Sequence, residues 1–371
     1  MEKLTKRELS ILEFIKKNKR ASNAEIMEYL ASISFRASRI TVIRSVSALI
    51  KAGLIERKGE GRSVYYEEKS TSPLLAYFDA EEYFKKSPDE RNVAFERFNF
   101  GIFDNLAPQE RFLFSSSLRL QENNVGEIFS KRELEELKNL NDGYVERIKK
   151  LPPPLIKKEF ERLTVELSWK SSQIEGNTYS LIDTEILIKE NKEAEGHKRE
   201  EAVMILNHKK ALDYILENRK DFKNLTLRKI EDVHGLLVDG LSVAKGLRKK
   251  AVGITGTKYR PLDNEYQIKE AMEKTIEFAN KKLPSSFSKA IFTMLMISYI
   301  QPFEDGNKRT SRLLGNAILL SRDICPLSYR SINEADYKKA VILFYEQNSA
   351  RFFKELFVDQ FKFAVSNYFL A

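Results

Sequence analysis

Apolar residues recur at helical spacing along most of the chain, and the stretches that break this rhythm mark its organisation. Residues 6–17 place Leu9, Leu12, Phe14 and Ile15 near that period, Ala21-Ser22-Asn23 supplies cap residues for a short helix over 24–30, and a third pattern from 39 to 50 stops at Gly53. The period then shortens to two. Residues 54–57 and 63–66 alternate around Gly59-Glu60-Gly61-Arg62, which predicts a hairpin. Between 71 and 154, Ser72-Pro73, Ser87-Pro88-Asp89, Ala107-Pro108 and Leu151-Pro152-Pro153-Pro154 interrupt short helical patterns, so this part reads as a connector of short helices. From 155 to 371 nearly every periodic stretch is helical: 157–172, 183–190, 200–218, 226–237, 265–283, 288–300, 308–321 and 334–365. The exception is 251–259, where Ala251-Val252-Gly253-Ile254-Thr255 and Thr257-Lys258-Tyr259 alternate in strand fashion about Gly256. The expected class is mainly α: a small helix-and-hairpin domain over 1–70, the connector over 71–154, and an all-α domain with one hairpin over 155–371.

Length and composition allow this. The chain has 371 residues, 42% hydrophobic and 32% charged, enough for two or three domains with cores of their own. Cys325 is the single cysteine, so no internal disulfide forms, and no zinc-type spacing joins it to His197, His208 or His234. Met1–Ser10 lacks a signal peptide's apolar run, and the longest apolar stretch, 291–300, is about half a spanning helix. A cytoplasmic protein without a membrane segment is expected. Net charge is +9, and residues 1–70 hold 15 Lys and Arg against 9 Asp and Glu. This asymmetry fits a nucleic-acid or anion partner at the amino end, or a solvated lysine-rich surface.

Three helices followed by a hairpin is the order of a winged helix-turn-helix, and 1–70 resembles winged-helix transcription regulators. The resemblance implies that the third helix enters the major groove of double-stranded DNA, presenting Arg39, Thr41 and Arg44, with Arg62 on the wing. A protein-docking module is the alternative.

The chemistry concentrates in Gln301-Pro302-Phe303-Glu304-Asp305-Gly306-Asn307-Lys308-Arg309-Thr310-Ser311-Arg312. Asp, Gly and Asn open a helix there, so the N–H groups of Gly306, Asn307 and Lys308 are candidates for an anion. Its first turn also carries Lys308, Arg309 and Arg312, at the end where the helix dipole disfavours cations by about 0.3–1 kcal/mol each. Arg309 and Arg312, three apart, share a face suited to one polyphosphate, and Asp305 suits a magnesium ion that bridges phosphates. A capped surface helix would explain the polar residues but not three neighbouring cations.

This stretch resembles the signature of the Fic family, H-P-F-x-D/E-G-N-G/K-R-x-x-R, with Pro302, Phe303, Asp305, Gly306, Asn307, Arg309 and Arg312 in order. Gly246–Pro261 is similar to the family's arginine-then-hairpin flap. The resemblance implies transfer of AMP from ATP to a hydroxyl of a target protein or of the chain itself. It gives Mg²⁺ to Asp305, the α-phosphate to Asn307 with the Gly306 region, and the β- and γ-phosphates to Arg309 and Arg312, beside Lys308. It makes the strand containing Val252 and Ile254 an edge for the target segment. Upstream, Ser171-Ser172-Gln173-Ile174-Glu175-Gly176 resembles the family's inhibitory motif through Ser171, Glu175 and Gly176, which implies that Glu175 pairs with Arg312 and holds the enzyme off.

Two positions depart from the pattern. Gln301 stands where the family has its histidine base, and an amide accepts no proton near neutral pH. A nucleotide-sensing regulator without catalysis is therefore an alternative. Lys308 replaces the usual glycine, as in the Doc branch, which keeps a phosphotransferase reading open. His234 is expected to pack in the core, as is Tyr337, which lies where the family has a tyrosine near adenine. Self-association stays open.

Overall fold

A computed structural model describes residues 4–18, 20–35, 37–69, 73–91 and 128–370. They fall into two compact units, 1–71 and 72–371.

In the first unit α1 (Lys6–Asn18), α2 (Asn23–Ser32) and α3 (Arg39–Lys51) bury Ile11, Leu12, Ile15, Ile26, Leu30, Val42, Val46 and Leu49 between them. Ser22 caps α2 in a reciprocal box with Glu25, and Ser38 Oγ accepts from Thr41 N at the start of α3. Strands β1 (Arg20–Ala21), β2 (Ile55–Lys58) and β3 (Tyr65–Glu68) form an antiparallel sheet in the order β1-β3-β2, with Ile55 opposite Glu68 and Lys58 opposite Tyr65. The second hairpin strand lies two residues later than its pattern suggested, because a 3₁₀ turn takes up Gly61–Ser63. β1 escapes the sequence reading because two residues are too few to display a period of two. Helix α3 exposes Arg39, Ile40, Ile43 and Arg44, and Ile40 is 63% accessible. Thr41 is half-buried, with its hydroxyl 2.9 Å from that of Ser38. Arg62 lies in the 3₁₀ turn, and its side chain is outside the described residues.

The second unit is helical: α4 (Ala80–Lys85), α5 (Lys131–Lys150), α6 (Pro153–Ile174), α7 (Leu181–Glu190), α8 (Arg199–Glu217), α9 (Leu227–Leu237), α10 (Glu265–Lys281), α11 (Ser286–Ile300), α12 (Asn307–Leu320), α13 (Glu334–Gln347) and α14 (Arg351–Asn367). Three expectations need correction. The connector contains a 20-residue helix, α5, capped by Ser130 and Glu133 and burying Leu137 and Tyr144. Prolines 152–154 do not merely end it: Pro153 opens α6, a position where the missing N–H is no loss. The pattern read as one helix over 334–365 is two, since Asn348 takes a left-handed conformation (φ 51°) that asparagine tolerates better than most residues. The Ala107–Pro108 interruption lies outside the described residues.

The predicted hairpin over 251–259 also differs. The chain turns at Gly256 (φ 83°), but no strand ladder forms there among the described residues. Carbonyls in and beside this segment, those of Lys250, Gly256 and Leu262, are taken by arginine side chains. Val252 and Ile254 are half-buried.

The core centres on α11 and α12, which pack against each other, with α8, α9 and α10 around them. Every residue of α11 after Ser286 is buried. Gly315 lets the pair approach, since a Cβ there would meet Met294 Sδ at 2.6 Å. That contact explains a glycine that costs about 1 kcal/mol in a helix interior. No helix among the described residues is long and apolar enough to cross a membrane.

Candidate functional site

Residues 301–306 join the two central helices, and neighbouring elements fix their path. Gln301 closes α11 in a left-handed conformation (φ 51°). Its Nε2 donates to Ser298 O at 2.6 Å and to the Tyr345 hydroxyl at 3.3 Å, so the amide is tied to the helix end. The buried Arg248 clamps the same turn: Nε donates to Gln301 O at 2.5 Å and Nη1 to Lys250 O at 2.7 Å, Nη2 reaches Leu262 O, and the backbone N–H reaches Pro302 O. Burial pushes its pKa down, and its hydrogen bonds all run to main-chain carbonyls.

From α9, His234 stacks on Phe303 with ring centroids 3.7 Å apart and 6° between planes, and its Nε2 lies 3.0 Å from Asp305 O. Burial drives the imidazole pKa down to about 4, against a smaller opposing contribution from the bond to Asp305. The ring is therefore neutral near pH 7 and carries its proton on Nε2, where it donates to the carbonyl. His234 supports the loop rather than simply filling the core.

Asn307 does likewise from within. Its Oδ1 accepts from Phe303 N at 2.9 Å and its Nδ2 donates to Phe303 O at 2.8 Å, so the side chain expected to hold a phosphate also braces the loop and keeps one Nδ2 hydrogen beyond these bonds. What remains is the helix start. The first bond of α12 runs from Thr310 N to Gly306 O, leaving the N–H groups of Asn307, Lys308 and Arg309 without an intrahelical acceptor. Gly306 supplies φ 79° there, and its own N–H goes to Asp305 Oδ1 at 2.6 Å.

Arg309 is 1% exposed, yet among the described residues only its Nη2 has a partner, Asp305 Oδ2 at 3.2 Å, and that carboxylate is 65% accessible. Nε and Nη1 are buried without a hydrogen-bond acceptor. Burial accordingly lowers the Arg309 pKa. Arg312, fully buried, is better satisfied: Nε donates to Ser171 Oγ at 2.9 Å, and Nη2 to Ser171 O at 2.7 Å and to Glu175 Oε1 at 2.9 Å. Its guanidinium carbon also lies 5.2 Å from the Tyr337 ring centroid. Glu175, at the end of α6, is 3.6 Å from Lys308 as well. Burial works to raise its carboxyl pKa, but Arg312, Lys308 and Arg309 together outweigh this and leave it below the ordinary value of 4.5.

Ser171, Glu175, Lys308 and Arg312 thus meet, with Arg309 and Asp305 one turn away. His208 adds no charge here, since burial first, then Arg312 and Arg309, hold it far below 6.5. His197 lies beside Thr178, with its Nδ1 2.9 Å from the hydroxyl. Three cations meet two carboxylates at a helix N-terminus, which leaves a net positive charge where the helix dipole also favours an anion. Among the described residues no group of three His, Cys, Asp or Glu could hold a metal by itself.

Residues 224–319, from just before α9 to the end of α12, match the Fic/DOC family. The chain carries a Fic/DOC family domain. Protein adenylyltransferase Fic of Aedes aegypti is 28% identical over 180 residues, 46% of this chain and 35% of that protein. A probable protein adenylyltransferase of Aquifex aeolicus is 31% identical over 93 residues, 25% of this chain and 29% of its own. The chain spans about a third of the length of these relatives. Among solved structures, Fic-1 from C. elegans superposes with a TM-score of 0.54 at 19% identity, covering 64% of this chain and 70% of that one. A Fic domain containing signaling protein from Bacteroides thetaiotaomicron gives 0.53 at 18%, covering 62% and 94%. These likenesses establish the fold of the Fic domain. Asp305, Arg309 and Arg312 lie within the matched residues, whereas Ser171 and Glu175 lie upstream of them.

Proposed function

We propose that the Fic domain binds ATP and transfers AMP to a hydroxyl of a target protein or of the chain itself, with Glu175 as a built-in brake and Gln301 limiting the rate. The observation that carries this reading is Arg309, a buried cation with two N–H groups lacking acceptors beside a helix start. A polyphosphate would supply them. Relatives named as protein adenylyltransferases give the reaction its class.

In the transfer the target oxygen bonds to the α-phosphorus, the bond from that atom to the bridging oxygen breaks, and pyrophosphate leaves with the electron pair. The N–H groups of 307–309 and Arg309 would hold phosphate oxygens. Arg312 would join them once released by Glu175. The Asp305 carboxylate fits a magnesium ion, which takes one or two carboxylates from the protein and the rest from phosphate and water. Bound there, the ion would offset phosphate charge. The hydroxyl proton must go to a base, and Gln301, whose amide donates to Ser298 O and Tyr345, is not one.

The same feature favours a second reading, in which the Fic domain senses nucleotide without catalysis. Incubation of the full chain with α-labelled and with γ-labelled ATP separates them: weak α-label on protein is expected, γ-label would favour phosphate transfer, and no label with intact binding would favour the sensor. Calorimetry should show Arg309→Ala binding Mg-ATP at least tenfold more weakly, since charge-assisted hydrogen bonds contribute about 1.5–3 kcal/mol each. Unchanged affinity would refute the assigned phosphate site.

We read the first unit as a winged helix that binds double-stranded DNA. Its support is the helix order, the basic balance of 1–70, and an α3 face that exposes Arg39 and Arg44 beside Ile40 and Ile43. Isoleucines there suit thymine methyl groups. Arg44→Ala is expected to weaken duplex binding by about 1–3 kcal/mol if it reads a base, or to flatten the salt dependence if it meets phosphate. Titration at several salt concentrations distinguishes these, and no duplex binding above background would leave protein docking as the role of this unit.

A further inference from the structure

Residues 251–259 form no ladder with any described residue, and side chains from elsewhere take up carbonyls in and beside them. Arg248 holds the base of the segment. Its turn is held by a residue far outside the family match: Arg91, 4% exposed, directs Nη2 to Gly256 O. The same guanidinium makes a two-pronged pair with Glu346 of α13, Nε to Oε2 and Nη2 to Oε1, both at 3.0 Å. Nη1 reaches Lys86 O at 3.3 Å, and the group lies 4.9 Å from the Phe84 ring centroid. Glu346, 1% exposed, also accepts from the Tyr83 hydroxyl at 2.7 Å. A second strut runs from Lys258 Nζ to Asp89 O at 2.9 Å. A buried pair of this kind is costly unless further hydrogen bonds support it, and here every guanidinium nitrogen and both carboxylate oxygens have a partner.

We propose that Arg91, seated on Glu346, is a positioning residue that anchors the turn at Gly256 and so fixes the 251–259 backbone before a partner arrives. Its value to function rests on the proposed reading of this segment as the edge where a target chain docks. An edge already ordered spares the complex the cost of ordering it. Residue 345, next to the anchor, bonds to Gln301, so the last turn of α13 touches both the segment and the loop.

Digestion of the full chain by thermolysin, without nucleotide, tests the anchor, since cleavage before Val252 or Ile254 needs the backbone to leave its seat. Arg91→Ala should speed cleavage within 251–259 at least tenfold and leave α11 and α12 uncut. Lys258→Ala removes one exposed side chain, leaves the fold intact, and should give about a threefold rise confined to the same residues. Arg91→Lys keeps the charge but not the fork, and should not restore slow cleavage. Unaltered cleavage within 251–259 in the two alanine variants, new cuts spread equally over α11 and α12, or full rescue by lysine would each overturn the proposal. Because no ATP is present, a failure to bind or transfer nucleotide would count against the proposed function alone.

Discussion

A chain carrying both Gln301→His and Glu175→Gly is expected to label itself from α-labelled ATP about 10²–10⁴ times faster than Glu175→Gly alone, the range that a positioned general base contributes, and faster than Gln301→His alone, which keeps the brake. The two changes act on different requirements. Glu175→Gly frees Arg312 from its 2.9 Å partner and opens it to phosphate, but leaves the acceptor hydroxyl without a base. Gln301→His supplies the base at the end of α11 while Arg312 stays engaged. Only together do they satisfy one reaction, so their effects should be far from additive. Tyr345 lies 3.3 Å from Gln301 Nε2 and offers a histidine a hydroxyl to bond with, which favours a defined ring position. Rapid labelling by the unmodified chain would show that Gln301 is no obstacle. A silent double variant that still binds Mg-ATP would favour the sensor.

The second large effect is on stability. Arg312→Ala should lower it by about 3–5 kcal/mol, because it strips a partly buried carboxylate of its main partner and leaves Ser171 with an unsatisfied carbonyl. Glu175→Gly should cost less, since Arg312 keeps both Ser171 contacts. It should also regain about 2.7 kcal/mol when Mg-ATP is present at a hundred times its Kd. At that same Mg-ATP concentration Arg312→Ala should recover less, because a lost phosphate contact raises its Kd. The pH dependence follows from the lowered Glu175 pKa: its folded value lies below the ordinary 4.5, so the ionised pair stabilises the fold fully above that pH and ceases to as pH falls through the folded value. The Tm gap between the wild-type chain and Glu175→Gln should accordingly narrow below about pH 4.5. A gap that widens in acid, or an Arg312→Ala chain as stable as wild type, would contradict this account.

Much of the helical framework was legible because amphipathic periodicity survives in each segment, and α11 was visible as the longest apolar run. The charged loop was legible for a different reason. Lys308, Arg309 and Arg312 contradict the dipole of the helix they begin, and a local rule broken without local compensation points to a ligand. What the sequence concealed was the use of side chains across long separations. Asn307 reads as a phosphate ligand, and nothing in its pattern shows that its amide also braces Phe303. His234 looks like core until its ring is found under the loop. Arg91 and Glu346 are 255 positions apart, and neither departs from its surroundings in pattern or charge. The strand pairing read into 251–259 is not found among the described residues, because alternation records which face is apolar, not whether a partner strand receives the hydrogen bonds.

Arg248 carries a consequence for the order in which the protein assembles. Its carbonyl acceptors lie 2, 14, 52 and 53 positions along the chain, so its cage cannot close until the end of α11 exists. On a ribosome adding about 5–20 residues per second, the segment from 248 to 262 emerges seconds before the carbonyls of Ile300 and Gln301 do. Through that interval Arg248 remains hydrated, and Lys249 and Lys250 beside it are open to proteases. The base of the edge proposed to receive a target therefore locks late in synthesis, after α9 and α10 have been made, and a chain truncated before Gln301 would leave Arg248 without two of its acceptors.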